Sequence, residues 1–80
     1  MIVLKDVLTD MAKAIVETPD SVSVTETETE GGEVLLTLSV APDDMGKVIG
    51  RHGRIAKALR TVMKAAATAV NKKVTVEIKD

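Results

Sequence analysis

The sequence predicts one small α+β domain with the element order α-β-β-α-α-β. Two observations predict this class. Apolar residues recur every three or four positions over residues 4–15 and 55–70, and they alternate with polar residues over 22–24, 34–40 and 74–78. The length of 80 residues predicts a single compact core, because a chain of this size buries little surface beyond one core.

The composition limits both the core and the chemistry. The chain contains no Phe, Trp, Tyr or Cys, so its interior must be aliphatic, and disulfides, thiolate metal ligands and cysteine nucleophiles are excluded. No apolar run is long enough to span a bilayer, and the first residues show no basic leader or cleavage site. We expect a soluble, cytoplasmic protein.

Charge is segregated along the chain, although the net charge is only -1. Residues 1–43 hold nine acidic and two basic residues, whereas residues 44–73 hold one acidic and eight basic residues. A polyanion would be repelled by the first segment and attracted by the second. The alternative is that these Lys and Arg residues only keep helices soluble, but so complete a segregation favours a polyanionic partner.

The first helix is predicted over residues 4–15. Its apolar residues fall on one stripe: Leu4, Val7, Leu8, Met11, Ala12 and Ile15. Thr18-Pro19-Asp20 ends the helix, because Pro and Asp favour turns.

A β-hairpin follows around Gly31-Gly32. The apolar residues of its two alternating runs are Val22, Val24, Val34, Leu36, Leu38 and Val40. A two-residue loop would put the two apolar sets on opposite faces, whereas a three-residue loop pairs Val24 with Leu38, and we prefer the latter. We interpret TETETE, residues 25–30, as a solvated tip projecting past the core, whose negative charge discourages strand pairing and repels nucleic acid.

A short helix is predicted next. Pro42 suits the first turn of a helix, and the carboxylates of Asp43 and Asp44 complement the amide dipoles there. The helix reaches Ile49 and stops at Gly50, a position typical of a left-handed cap.

A longer helix begins at Gly53. Its predicted apolar stripe is Ile55, Ala58, Leu59, Val62, Met63, Ala66 and Val70. Asn71 can close this helix, and an alternating run predicts the last strand, with Val74, Val76 and Ile78.

Two glycines three positions apart separate these helices. If Gly50 ends one helix and Gly53 begins the next, the opening turn of the second helix presents unpaired N–H groups, and the missing side chains let another backbone approach. Such a turn can bind an anion. The surrounding cations are Lys47, Arg51, Arg54, Lys57, Arg60 and Lys64. The glycines could instead serve only a tight helix corner, but the cations on both sides favour phosphate contact.

The run Val48-Ile49-Gly50-Arg51-His52-Gly53-Arg54-Ile55 resembles the V-I-G-x-x-G-x-x-I signature of the K-homology (KH) family. It departs at its end, because Ile55 follows Gly53 by two positions and Ala56 occupies the third. The wider stretch 41–67 is similar to small stand-alone bacterial KH proteins of the KhpA type. The resemblance implies one KH domain over residues 1–80 with the type II fold, in which three helices pack on one face of a three-stranded sheet.

The same resemblance implies a narrow cleft for about four nucleotides of single-stranded RNA. The residues that would contact phosphates are Gly50, Arg51, His52 and Gly53, with Lys47, Arg54 and Lys57 nearby. The residues that would form an aliphatic floor under the bases are Val48, Ile49 and Ile55, with Val40 beside them. The composition agrees with this, since RRM and OB modules stack bases on aromatic side chains and this chain has none.

KhpA-type proteins are expected to pair with themselves or with a larger KhpB-type protein, so the resemblance implies a homodimer or such a heterodimer. An interface could use the Ala-rich stretch, if Met63, Ala65 and Ala69 are exposed. We expect an RNA-binding protein with a role as an RNA chaperone or post-transcriptional regulator. The alternative is a protein-interaction module whose helix corner docks a partner, with RNA binding incidental.

Enzymatic chemistry finds no support in the sequence. The nucleotide-binding patterns G-x-x-x-x-G-K-[ST] and G-x-G-x-x-G are absent. His52 is the only histidine, so a zinc site or a Ser-His-Asp triad is not expected. Asp43 and Asp44 are better explained as first-turn acids than as a catalytic pair. We predict no enzyme, cofactor, metal, small-molecule substrate or membrane association.

Overall fold

The computed structural model describes residues 2–79 and confirms the α+β class and the element order. The elements are α1 Leu4–Ile15, β1 Ser23–Glu28, β2 Val34–Ser39, α2 Met45–Ile49, α3 Arg54–Ala69 and β3 Val74–Lys79. Short 3₁₀ turns lie at Pro19–Ser21, Pro42–Asp44 and Arg51–Gly53. The strand order is β1-β2-β3, with β1 antiparallel and β3 parallel to β2, and the helices cover one face.

The hairpin has the predicted register. Val24 lies opposite Leu38, and both are buried. The turn is closed by Thr29 N–H donating to Glu33 O at 2.8 Å and by Gly32 N–H donating to Thr29 O at 3.0 Å. This three-residue loop puts the apolar residues of both strands on the face that the helices cover.

We expected the acidic segment, residues 25–30, to project past the core, but most of it belongs to the sheet. Residues 25–28 belong to β1 and pair with β2 along their whole length, with Glu26 opposite Leu36 and Glu28 opposite Val34. These residues are exposed nonetheless, because β1 is an edge strand and the helices do not cover its far end. Only the residues after Glu28 form the turn.

The core is aliphatic, as the composition requires. Its central strand is β2, which is shielded on both edges and buries Val34, Leu36 and Leu38 beneath the helices. The buried hydrophobic residues are Leu4, Leu8, Ala12, Val22, Val24, Val34, Leu36, Leu38, Val40, Val48, Ala56, Leu59, Met63, Ala67 and Val76.

The buried face of α3 is rotated from the predicted stripe. The structure buries Ala56, Leu59, Met63 and Ala67. Three residues of the predicted stripe stay exposed: Ile55 at 37%, Val62 at 45% and the smaller Ala58. Both stripes satisfy the helical period. The small alanines let the helix backbone approach its neighbours closely, and the bulkier aliphatic residues are left on the flank.

The C-terminus of α3 closes at Asn71, as predicted. Asn71 has φ 61°, its N–H donates to Thr68 O at 3.0 Å, and Lys72 N–H donates to Ala67 O at 2.8 Å. This pair of bonds is the Schellman motif, in which a left-handed residue caps the last carbonyls of a helix. The cap turns the chain back toward β3.

Candidate nucleic-acid interface

The loop between α2 and α3 is a tight bend with positive φ angles. Gly50 has φ 75° and ψ 172°, a region that is essentially restricted to glycine. His52 (φ 57°) and Gly53 (φ 72°) are both left-handed. A left-handed histidine costs free energy, so the surrounding helices must hold the loop in this shape. Gly50 was expected to adopt the left-handed cap conformation, but its ψ of 172° lies outside the left-handed helical region.

The two glycines have different roles. A Cβ at Gly50 would lie 2.6 Å from Ile55 Cγ1, whereas a Cβ at Gly53 would have no atom within 4 Å. The space at Gly50 is therefore filled by the protein's own side chain, contrary to the expectation that another backbone could approach there. At Gly53 the space is open to a ligand.

Two free amides lie at the tip of the loop, and the amides at the junction with α3 are bonded within the loop. Gly50 N–H donates to Gly46 O at 2.9 Å, and Gly53 N–H donates to Gly50 O at 3.1 Å. Arg54 N–H is bonded to Arg51 O. Within residues 2–79, the amides of Arg51 and His52 have no such acceptor. The glycines shape the loop, and the two residues between them carry the unpaired donors.

The cations divide between the two flanks of α3. Lys57, Arg60 and Lys64 recur at spacings of three and four and lie on the flank that faces β3, where Arg60 Nε donates to Val76 O at 3.3 Å. Arg54 lies on the opposite flank, beside Ile55 and α1.

Lys47 forms an ion pair with the segment that follows α1. Its Nζ lies 3.6 Å from Glu17 Oε1, and the two side chains are 41% and 79% exposed. An exposed ion pair contributes only about 0–1 kcal/mol, so Lys47 can exchange Glu17 for another anion.

Two of the four residues expected to form the aliphatic floor are buried in the core. Val48 is fully buried and Val40 is 3% exposed, so both belong to the core. Ile55 packs over Gly50 and faces α1, away from the cations near β3. Ile49 is 38% exposed and is the one residue of the expected set whose side chain remains accessible at the start of the loop.

Asp44 has a structural role that sequence reasoning missed. It is 2% exposed and accepts hydrogen bonds from the N–H groups of Glu17 at 3.1 Å and Thr18 at 3.0 Å. It thereby ties the segment after α1 to the start of α2, and so fixes the helix that precedes the loop. Asp43, its neighbour, is exposed; no feature of the sequence distinguishes the two acids.

An apolar groove between α1 and α3 was also missed. Its lining residues are Met11, Ala14, Ile15, Arg54, Ile55, Ala58, Leu59 and Val62. The groove forms because α3 buries the face that carries Ala56 and Ala67. Ile55 and Val62 are then left on the flank beside Ile15. The surface proposed from the Ala-rich stretch is corrected in part: Ala65 and Ala69 are exposed, but Met63 is fully buried.

Two kinds of site are not found in the part of the chain that the structure describes. No group of three His, Cys, Asp or Glu side chains is placed to hold a metal ion over residues 2–79. In the same range, no helix combines the length and the apolar character needed to cross a bilayer.

Similar folds occur in solved structures of a larger protein. The chain superimposes on Aquifex aeolicus Era bound to GDP and AlF4⁻, with a TM-score of 0.63, 14% identity and coverage of 94% of this chain but 29% of Era. A structure of Era with MgGDPNP and part of 16S ribosomal RNA gives the same TM-score and identity, with 28% of that chain covered. At this identity the likeness concerns the fold alone.

Sequence relatives match over almost their whole length. The chain is 56% identical over 75 residues to the RNA-binding protein KhpA of Clostridium acetobutylicum, covering 94% of this chain and 99% of that protein. It is 46% identical over 78 residues to the KhpA of Aquifex aeolicus, covering 98% of both. The family model described as KhpA/KhpB, KH domain, matches residues 5–78. The chain therefore belongs to the KhpA/KhpB family of KH domains.

Proposed function

We propose that this protein binds single-stranded RNA by holding one phosphate group at the tip of the loop between α2 and α3. The observation that carries the proposal is the pair of unpaired amides at Arg51 and His52, on exposed residues of a bend held by positive φ angles. The relatives that match over nearly their full length are named RNA-binding protein KhpA. Membership of this non-enzymatic family agrees with the prediction that the chain is not an enzyme.

The loop suits a phosphate for three reasons. Two adjacent N–H groups can donate to two oxygens of the same phosphate, and hydrogen bonds to a charged acceptor are stronger than neutral ones. The guanidinium of Arg51 and the ring of His52 add donors at the same place. The open space at Gly53 lets the sugar-phosphate backbone come close without meeting a side chain.

The next phosphates would lie along the flank of α3 that faces β3. Lys57, Arg60 and Lys64 are exposed there, while Ile49 offers an aliphatic contact for a base near the loop. If three or four phosphates are neutralised, log K should fall with log[salt] with a slope of about -2 to -3. Because the contacts are to the RNA backbone, we expect little sequence selectivity. The role we propose is that of a cytoplasmic RNA chaperone or post-transcriptional regulator.

The test replaces Arg51 and His52 with Asp. Two negative charges would then occupy the phosphate position, while the fold should survive, because both side chains are exposed and Asp tolerates the left-handed conformation of residue 52. We expect binding to a short single-stranded RNA, measured by fluorescence anisotropy, to weaken by about tenfold or more.

A matched control for this variant is the pair Lys5→Asp and Ser21→Asp. It makes the same change in charge at exposed positions of α1 and the turn after it. The control should bind RNA nearly as the wild type does. Wild-type binding by the loop variant, with both proteins folded by circular dichroism, would refute the assignment. A parallel titration with DNA of the same sequence separates backbone contacts from contacts to the 2′-OH.

Pairing with a second copy, or with a larger KhpB-type protein, is the second part of the proposal. In the groove between α1 and α3, the exposed fractions of Ile15, Ile55 and Val62 are 38%, 37% and 45%. An exposed cluster of apolar side chains is typical of a surface that another protein covers. Such pairing would raise the avidity of a small site for a long strand. It also keeps the alternative function open, because a partner could dock here without RNA.

Val62→Lys tests the pairing. Val62 is the most exposed of the three side chains, so the change should leave the monomer folded while placing a charge in the interface. We expect the wild type to sediment as a dimer and the variant as a monomer in analytical ultracentrifugation. Identical sedimentation of the two proteins would exclude this groove as the self-association surface, and Lys13→Ala, on the exposed side of α1, serves as the control.

A further inference from the structure

We propose that the chain carries a second phosphate-binding site at the far end of α3, which holds the same RNA strand downstream or upstream of the loop. This distal cationic groove is formed by Lys64, Lys72 and Lys73 together with the turn at Gly31 and Gly32. The inference rests on the proposed function of the loop, and it extends the bound strand beyond about four nucleotides.

The lysines of this groove stand on a fixed backbone. Lys72 N–H donates to Ala67 O at 2.8 Å as part of the helix cap, and Lys73 O accepts from Val34 N–H at 2.9 Å. The short connection from α3 to β3 is therefore bonded to the helix on one side and to the central strand on the other. Both side chains are exposed, so cations are presented to solvent from a connection that cannot easily move away.

The distal groove is continuous with the cations near the loop. Arg60 and Lys64 line one depression against β3. Lys64 lines the next depression together with Lys72 and Lys73, and these last two reach the glycine turn. Each depression thus shares a lysine with its neighbour, and the cations form one track along the border between α3 and β3.

The length of this track exceeds a four-nucleotide site. α3 has 16 residues and is therefore about 24 Å long at about 1.5 Å per residue. Four nucleotides cover about 10–14 Å if they keep the spacing of about 3.4 Å that one strand has in a duplex. A strand held at the loop must be longer than four nucleotides to reach Lys72 and Lys73, unless it is strongly extended.

The local charge favours an anion. Within residues 2–79 none of the three lysines forms an ion pair. Glu33 lines the groove, but its carboxylate accepts the hydroxyl of Thr75. Glu26 borders a neighbouring depression with Lys72 without pairing to it. Glu30, just before the glycine turn, is expected to repel the strand, so the track should end there.

The experiment uses a double variant that carries both Lys72→Gln and Lys73→Gln. Its RNA affinity is compared with that of the wild type on oligomers of about four and about twelve nucleotides. We expect the variant to bind the short oligomer within about twofold of wild type and the long oligomer about tenfold more weakly. The salt slope for the long oligomer should decrease by about 1.4, at about 0.7 per lost contact. The control is Lys5→Gln with Lys13→Gln, which removes the same charge from α1.

The outcomes separate this inference from the function of the loop. Wild-type binding of the long oligomer by the Lys72 and Lys73 variant would overturn the distal groove and leave the loop intact. An equal loss at both lengths would also overturn it, because a general charge effect would then explain the result. If the Arg51 and His52 variant binds normally while the distal variant does not, the loop function fails and the distal groove is the main RNA site.

Discussion

A methyl group added at Gly50 should destabilise the fold much more than a methyl group added at Gly53. At Gly50 the new Cβ would lie 2.6 Å from Ile55 Cγ1, and the backbone has φ 75° and ψ 172°. The unfavourable conformation costs about 1–3 kcal/mol and overpacking another ~1–3 kcal/mol, against which the stiffer unfolded chain offsets about 0.4–1 kcal/mol. We expect Gly50→Ala to lose about 1–5.6 kcal/mol, with a central value of about 3 kcal/mol.

Gly53→Ala is the matched comparison. Gly53 has a similar φ of 72°, but a Cβ there meets no atom within 4 Å. Only the left-handed penalty of about 1–2 kcal/mol remains, less the same unfolded-state offset. In a domain of this size about 1 kcal/mol corresponds to about 4–8 °C in Tm, so thermal melts followed by circular dichroism should separate the two variants clearly.

A double-mutant cycle identifies the cause of the difference. Ile55→Ala removes Cγ1, at 2.6 Å, and Cδ1, at 3.0 Å, and keeps the Cβ, which is also at 3.0 Å. Gly50→Ala should therefore cost less in the Ile55→Ala background than in the wild type, with a coupling of about 1–2 kcal/mol. Equal losses at Gly50 and Gly53, or additive effects of Gly50→Ala and Ile55→Ala, would refute the packing argument.

Two further variants test the supports of this architecture by chemical denaturation. Asp44→Ala should lose about 2–4 kcal/mol, because the N–H groups of Glu17 and Thr18 would be left without their acceptor; a loss no larger than that of Asp43→Ala would contradict the bridging role. Asn71→Gly should be neutral or stabilise the protein by up to about 1 kcal/mol, because glycine adopts the left-handed cap at φ 61° more readily. A clear loss for Asn71→Gly would mean that the Asn side chain contributes more than its conformation.

The sequence predicts the strand pairing well because one face of the sheet is buried. A shift of one residue in the hairpin would move Val24 and Leu38 to opposite faces, so the apolar pattern allows only one register. The cap at Asn71 is predictable for a similar reason, since few residue types adopt positive φ. These features depend on local geometry that the residue type itself encodes.

The rotation of α3 is not predictable from the same pattern. The stripe containing Ile55 and Val62 and the stripe containing Ala56 and Ala67 both fit the helical period, and the first is more hydrophobic. The choice between them depends on how closely the helix can approach α1 and the sheet, which alanine permits and isoleucine does not. A prediction from hydrophobicity alone therefore places Ile55 in the core and does not predict the apolar groove.

The structure was also needed to show which residues of the loop set its shape and which carry free amides. The sequence identifies 50–53 as a bend with cations, but it does not show which amides remain free, because this depends on hydrogen bonds that close the 3₁₀ turn. Asp43 and Asp44 likewise look equivalent until the fold brings the segment after α1 against only one of them. The free loop amides and the buried Asp44 both depend on contacts whose geometry is set by neighbouring elements.

The most direct test of the central claim is a two-dimensional amide NMR titration of the wild type with a short single-stranded RNA. The N–H signals of Arg51 and His52 should shift downfield on binding and move more than those of Gly50 and Gly53, whose amides already donate within the protein. Unchanged Arg51 and His52 signals in a complex that shifts other residues would contradict the account.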